Sequence, residues 1–316
     1  GYAFGTRTVE EIRAPEGNVI PEEEDTTPTL AAPPTAQLDD DDVNDDGIPD
    51  GVGDDTAPLN TSGTLAGSGG DGDLDYYFNG LSTLPAGFTY NPVDASTVQI
   101  LQGATVVLTI TLNNETGDYS VVQNNPIDHP DSDNENNLTF NVGVYTQDGD
   151  GDQSPPVDIT INVDDDTPTV SANNAVQLDD ETLAGGIAGG TGDVDPNTAN
   201  TSGTVGHSFG ADGAGSVQWL TTGAPDGFTY EKSGDSLLIK QGSTTVITVT
   251  MNTATGAYTV TQNAAIDHPA GLNENDVAFT LAYQVSDGDN DTVNGSLVIN
   301  VDDDTPTVSA NNAVQL

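Results

Sequence analysis

Thr105-Val106-Val107-Leu108-Thr109-Ile110-Thr111-Leu112 alternates in hydropathy, with Val106, Leu108, Ile110 and Leu112 set between Thr or Val. That is the period of a strand with one face buried, not the 3.6-residue period of a helix. The same pattern returns at Thr244–Met251, where Ile247, Val249 and Met251 alternate with Thr. Turn residues follow each run: Asn113-Asn114-Glu115-Thr116-Gly117 leads into Tyr119–Gln123, and Asn252-Thr253-Ala254-Thr255-Gly256 into Tyr258–Gln262. Both read as hairpins. Further strands are predicted at Leu138–Tyr145 and Val277–Val285, and at Val157–Val163 and Leu297–Val301. Helix signals are nearly absent, apart from one weak turn over Thr8–Arg13 ahead of Pro15. Several short strands with Gly/Asn turns predict an all-β fold, a Greek-key, immunoglobulin-like β-sandwich.

The two sets of strands belong to an internal repeat. Asn60-Thr61-Ser62-Gly63-Thr64 recurs at an offset of 140 residues as Asn200-Thr201-Ser202-Gly203-Thr204. Ile127-Asp128-His129-Pro130 recurs as Ile266-Asp267-His268-Pro269 at an offset of 139. Asn162–Pro168 recurs as Asn300–Pro306 at an offset of 138, so small insertions and deletions sit in loops. Thr167–Leu178 is then repeated without change at Thr305–Leu316. A period near 139 residues is too long for a solenoid unit, so each copy should own a core. We therefore expect a linker or arm over 1–26, sandwich repeats over 27–166 and 167–304, and the start of a third repeat over 305–316. Residue 1 is not Met, which fits a chain that begins inside something longer.

The 316 residues carry 4 Lys+Arg against 51 Asp+Glu, a formal net charge of −47. Nucleic acid and anionic membrane are not expected as partners of such a surface. A compact body with that charge repels itself unless something neutralises it, and carboxylates clustered in Gly/Asp loops are what a hard cation prefers. Calcium is the expected cofactor. The chain has no Cys, so it contains no disulfide and no thiolate chemistry. No 18-residue apolar run and no basic-apolar leader occurs, so no membrane insertion is expected in this segment.

Three kinds of acidic cluster carry the metal expectation. Asp42-Val43-Asn44-Asp45-Asp46-Gly47-Ile48-Pro49-Asp50 fits D-x-N-x-D-G-x-x-D. In such a loop Asp42, Asn44 and Asp46 present side-chain oxygens, Gly47 permits the bend, Ile48 offers its carbonyl and Asp50 adds a ligand directly or through water. Position 12 is Gly53 where an EF-hand has Glu, with Asp54 or Asp55 as substitutes. The other reading is a solvated acidic linker. The second repeat has Thr182, Ala184, Gly186 and Gly190 at the matching places, so this loop belongs to the first repeat alone. Asp148-Gly149-Asp150-Gly151-Asp152 and Asp287-Gly288-Asp289-Asn290-Asp291 precede the last strand of each copy. That strand ends in Asp164-Asp165-Asp166 or Asp302-Asp303-Asp304. The expectation is that each alternate-carboxylate loop adjoins the triple acid of its own copy, where a cation relieves repulsion and stiffens the hinge. A hydrated Asp/Gly turn is the alternative. Pro168 and Pro306 limit the exit direction after the acids.

Other features carry less. Gly69-Gly70-Asp71-Gly72-Asp73-Leu74 is close to a calcium nonapeptide, but the sixth residue is Leu74 and one copy cannot stack, so it reads as a turn. His129 and His268, each between Asp and Pro, read as structural loop residues in preference to metal ligands or general bases. Trp219, with no counterpart in the first repeat, reads as core packing, with carbohydrate stacking as the alternative.

At the repeated Val-Asp-Asp-Asp-Thr-Pro-Thr-Val junction with Asp-Gly-Asp-x-Asp upstream, the chain resembles the tandem repeats of type I-secreted, RTX-type giant adhesins of biofilm-forming Gram-negative bacteria. The likeness covers Asp25–Leu316. It implies calcium-rigidified sandwiches between an outer-membrane anchor and a distal ligand-binding region, with a secretion signal elsewhere. The first repeat departs from it, having Asp25-Thr26-Thr27-Pro28 for the acidic junction. The expected function is thus a spacer at the bacterial cell surface and not an enzyme, monomeric and in contact with neighbouring repeats of its own chain. The runner-up is a module in which Trp219, Tyr230 or loop carboxylates grip glycan or another surface.

Overall fold

A computed structural model describes residues 25–43, 58–79, 82–130, 135–271 and 273–308. Among them there is no α-helix, only strands and two 3-10 turns at Asp40–Asp42 and Asp180–Thr182. The turn expected at Thr8–Arg13, the calcium loop from Asn44 to Asp50, Asp54 and Asp55, and residues 309–316 lie outside the described residues.

Thr105–Leu112 lies inside a five-stranded antiparallel sheet, ordered Ser62–Thr64, Asp118–Gln123, Thr105–Leu112, Thr97–Gln102 and Phe88–Asp94. The register slips where Ile100 faces Leu108 and Leu101 faces Val106. That bulge turns Val107 and Leu108 both inward and leaves Val106 half-buried, so the alternation is broken once along this strand. The second copy repeats the slip, with Val246 and Ile247 buried together. Gly117, at a φ of 74°, closes the hairpin after the strand, a backbone conformation that side-chain-bearing residues rarely adopt.

The facing sheet of the first repeat runs Ala36–Asp39, Val157–Asp164, Leu138–Gln147, Asp75–Phe78. The chain crosses between the two sheets in the manner of a Greek-key, immunoglobulin-like sandwich. The second repeat matches strand for strand: Val176–Asp179, Thr292–Asp302, Val277–Asp287 and Ala214–Trp219 face Ser202–Thr204, Ala257–Gln262, Thr244–Met251, Ser236–Gln241 and Phe228–Ser233. Among the described residues no sheet mixes strands from the two repeats.

Each repeat buries its own core between its sheets. One cluster is built on Ile100, Leu108, Ile110, Phe140, Ile159 and Ile161, the other on Ile239, Ile247, Val249, Phe279, Leu281 and Ile299. The edge-to-face pair Phe88–Phe140, with ring centroids 4.9 Å apart, recurs as Phe228–Phe279 at the same separation. Trp219 and Tyr230 are both buried in the second core, and Trp219 packs edge-on against Tyr283 at 6.1 Å. Neither is a surface platform for a sugar.

One pairing positions the acids. Ala36–Asp39 runs parallel to Val157–Asp164, which sets Asp39 beside Asp164. Val176–Asp179 likewise runs parallel to Thr292–Asp302, setting Asp179 beside Asp302. Parallel neighbours end at the same edge of a sheet. The acids that follow each strand therefore emerge together at one end of the sandwich.

A candidate metal centre between the repeats

The loop and the triple acid of one copy do not adjoin. Val157–Asp164 is eight residues long, and a strand of that length holds its end residues about 23 Å apart at ~3.3 Å per residue. Asp148, Asp150 and Asp152 thus lie at the opposite end of the first repeat from Asp164, Asp165 and Asp166. There they gather with Asp25 and Asp71. The expectation that they meet within a copy is corrected: the triple acid of the first repeat meets the loop of the second.

At that meeting point Asp165 supplies a carboxylate from the first repeat, and Asp212 and Asp289 supply two from the second, all within 4.8 Å of one another. Oxygens on opposite sides of a calcium ion stand at most about 5 Å apart, from a metal–oxygen distance of ~2.3–2.6 Å, so the trio fits one ion. Direct hydrogen bonds hold the seam. The Ala211 N–H donates to Asp166 Oδ2 at 2.6 Å, and the His129 N–H donates to Asp289 Oδ2 at 3.1 Å. Gly210, at a φ of 75°, lets the Asp166 carboxylate close in, since a Cβ there would meet Asp166 Oδ2 at 2.7 Å. Within the second-repeat loop the Asp291 N–H donates to Asp287 Oδ1 at 2.8 Å.

Water is largely excluded. Asp164, Asp165, Asp166, Asp287, Asp289 and Asp291 are all buried. Both carboxylate oxygens of Asp212 and Oδ2 of Asp287 are buried without a hydrogen-bond donor. Buried carboxylates without donors need a proton or a cation. Burial, followed by the charges of Asp289, Asp212, Asp291 and Asp40, pushes Asp165 up to about 10. Burial, with Asp40 and Asp289 next, pushes Asp212 up to about 9. Burial and the adjoining Asp289 carboxyl push Asp287 up to about 8. A divalent ion removes the same repulsion without any proton, and hard oxygen ligands in this number suit calcium.

Two residues of this centre, Asp212 and Asp40, were not singled out from the sequence. Asp212 sits in a Gly-rich turn, Gly210-Ala211-Asp212-Gly213, matching the turn around Asp71. Asp40 caps the parallel strand and accepts from the Ile127 N–H at 2.9 Å and from Gln123. His129 was assigned to loop structure, yet its Nε2 is 3.5 Å from Asp40 Oδ2 and both are buried. A signal was present: Gln37-Leu38-Asp39-Asp40 recurs as Gln177-Leu178-Asp179-Asp180, in step with His129 and His268.

The ends of the pair carry halves of the same arrangement. At the first repeat's outer end, Asp150 is exposed and raised to about 6, chiefly by its hydrogen bond with Asp148. The Thr26 N–H donates to Asp71 Oδ2 there at 2.8 Å, and Asp71, read as part of a plain turn, joins Asp25 and Asp150. At the second repeat's outer end, Asp303 joins Asp180 and His268. The Val194 and Ile187 N–H groups donate to Asp302 and Asp304 at 2.8 and 3.0 Å. Asp42, first residue of the expected calcium loop, ends the 3-10 turn that starts at Asp40. Asn44, Asp46, Ile48 and Asp50 lie outside the described residues.

Away from the junction, the first repeat has a hollow of about 350 Å³ lined by Tyr77, Phe78, Pro92, Asp94 and Tyr145. Tyr77 and Tyr145 stack there at 5.4 Å and 26°. The cross-strand pair Gln218–Gln284 stands in the corresponding sheet of the second repeat.

A family described as "Domain of unknown function (DUF5801)" matches residues 160–300. No curated protein matches the chain. Solved structures with similarity include Drosophila N-cadherin EC1-3, at 10% identity over 88% of this chain and 68% of that one, TM-score 0.26. Mouse Cadherin-23 EC22-24 follows at 14% identity, 88% and 65% coverage and TM-score 0.25. Protocadherin Gamma B2 extracellular domains 1-5 gives 12% identity, 88% and 40% coverage and TM-score 0.28. The chain spans less than two thirds of the latter two. No helix among the described residues is long and apolar enough to cross a membrane.

Proposed function

We propose that this chain is a run of structural extender modules from a large adhesin, held at the exterior of the bacterial outer membrane after type I secretion. In this reading calcium rigidifies the junction, so that tandem sandwiches project a distal ligand-binding region for attachment and biofilm formation. One observation carries the reading: Asp165 of one repeat converges with Asp212 and Asp289 of the next. An ion held by both sides ties the end of one module to the start of the following one. A stiff array keeps a distant tip away from the cell, where a flexible chain of equal mass would coil back. The partners are calcium and neighbouring repeats of the same chain. Thermal unfolding in calcium and in chelator tests it. Binding to the folded state alone adds about 2.7 kcal/mol at a hundredfold excess over Kd, so the melting temperature should rise with calcium. Equal melting temperatures would remove the proposal.

The hollow at Tyr77 and Tyr145 favours a second reading, in which the first repeat also grips a glycan on an aromatic wall. A glycan array probed with the native chain and with a Tyr77→Ala, Tyr145→Ala variant decides it. Binding that survives both substitutions, or none by the native chain, ends that reading.

A further inference from the structure

Calcium sites are built from oxygen, yet each repeat aims one imidazole at its terminal acids. Nitrogen is a poor ligand for calcium and a good one for late first-row divalent ions. His129, Asp40 and Asp165 each offer one ligand atom, these atoms lie within 4.8 Å of one another, and all three residues are buried. His268, Asp180 and Asp303 do the same in the second repeat. We propose that each His–Asp–Asp trio is a site for a zinc-class transition-metal ion, which in the first repeat adjoins the all-carboxylate calcium position of Asp165, Asp212 and Asp289 through their common Asp165.

The geometry carries this. His129 Nε2 stands 3.5 Å from Asp40 Oδ2, and His268 Nε2 stands 3.5 Å from Asp180 Oδ2. That is long for a hydrogen bond between these groups, whose charge-assisted form runs ~2.7–2.9 Å. It is close to the separation of two ligands on one tetrahedral ion, about 3.3–3.4 Å for metal distances of ~2.0–2.1 Å. His129 is 4% exposed, and neither of its ring nitrogens has a hydrogen-bond partner. An imidazole buried in that state is costly unless something accepts its lone pair.

The carboxylates are already oriented. Asp40 is fixed by the Ile127 N–H at 2.9 Å and by Gln123, and Asp180 by the Ile266 N–H at 2.9 Å and by Gln262. Such supporting bonds set ligand direction before the ion arrives. Two protein carboxylates and one imidazole leave a fourth tetrahedral position for water. The third histidine is placed differently: His207 Nδ1 lies 2.7 Å from its near neighbour Val205 O.

The site shares Asp165 with the calcium reading but does not rest on it. The test uses the whole chain saturated with calcium and titrated with cobalt(II), whose visible d–d absorption reports a low-coordinate site with nitrogen. Two equivalents should bind, one per trio. Absorption should halve in His129→Gln, halve in His268→Gln, vanish in the double variant and stay unchanged in His207→Gln. If the double variant does not fold, X-ray absorption of the zinc-loaded native chain decides, with a nitrogen in the metal's coordination shell expected. An all-oxygen shell, no visible band in excess calcium, or a full band in the folded double variant would overturn the proposal. A chain that takes up cobalt while its melting ignores calcium would instead contradict the calcium reading alone.

Discussion

The His129 N–H donates to the Asp289 carboxylate at 3.1 Å across 160 positions of sequence. This bond joins the end of the first sandwich to the alternate-carboxylate loop of the second, so the loop serves the junction on its N-terminal side. Asp150 holds the matching place in the first repeat, at that repeat's outer end. Asp289→Asn should therefore lower the bound calcium by at least one ion and loosen the joint between the repeats. Asp150→Asn should leave that joint as it is. Calcium counting with interdomain distance measurements on both variants checks this; equal effects would contradict the pairing across repeats.

The junction acids give a sign for pH dependence. Asp165, Asp212 and Asp287 are raised in the folded state to about 10, 9 and 8 by burial and by neighbouring carboxylates. In chelator the folded chain then binds more protons than the unfolded chain between the ordinary carboxylate range and these values. Stability must fall as pH rises through that window. Calcium replaces those protons and should flatten or reverse the slope. Denaturant midpoints from pH 5 to pH 9, with and without calcium, check the claim, and a chelator curve rising with pH would refute it.

Asp180 offers a local test of how the acids are held. It is buried and accepts from the Ile266 N–H at 2.9 Å and from the Gln262 side chain. Bonds to charged groups contribute about 1.5–3 kcal/mol. Gln262→Ala should destabilise the second repeat by that amount and leave the first untouched, and Gln123→Ala should do the reverse. Two resolved unfolding transitions, each moved by one variant, are the expected outcome.

Asp46→Ala addresses the D-x-N-x-D-G loop. Gly186 stands at the matching place in the second repeat, so the variant should lose one calcium while the melting of 167–304 stays the same. An unchanged count would make the loop a solvated linker.

Long strands were readable because alternation and turn chemistry are local. Thr105–Leu112 and Thr244–Met251 form over the residues expected, and Leu138–Gln147 and Val277–Asp287 run two residues further than predicted. Short strands such as Ala36–Asp39 and Asp75–Phe78 were not, since four residues carry too little periodicity. The partnership of acids was hidden for another reason. It depends on a parallel pairing between residues more than a hundred positions apart, for which no turn motif exists. Asp148–Asp152 and Asp164–Asp166 are close in sequence and were expected to be close in space, but the intervening strand drives them to opposite ends. His129 was read as a structural loop residue because its ring meets Asp40 and Asp165 only once both sheets are assembled.

Small-angle scattering of the two-repeat chain in calcium and in chelator bears most directly on the rigid junction. In their charged forms Asp164, Asp165 and Asp166 repel Asp287, Asp289 and Asp291 unless a cation or protons sit among them. With calcium the pair-distance distribution should be narrow, with a fixed maximum dimension. In chelator it should broaden, and added monovalent salt should restore it only in part, because buried charges are screened poorly. The same distribution in both buffers would contradict calcium as the clamp between repeats.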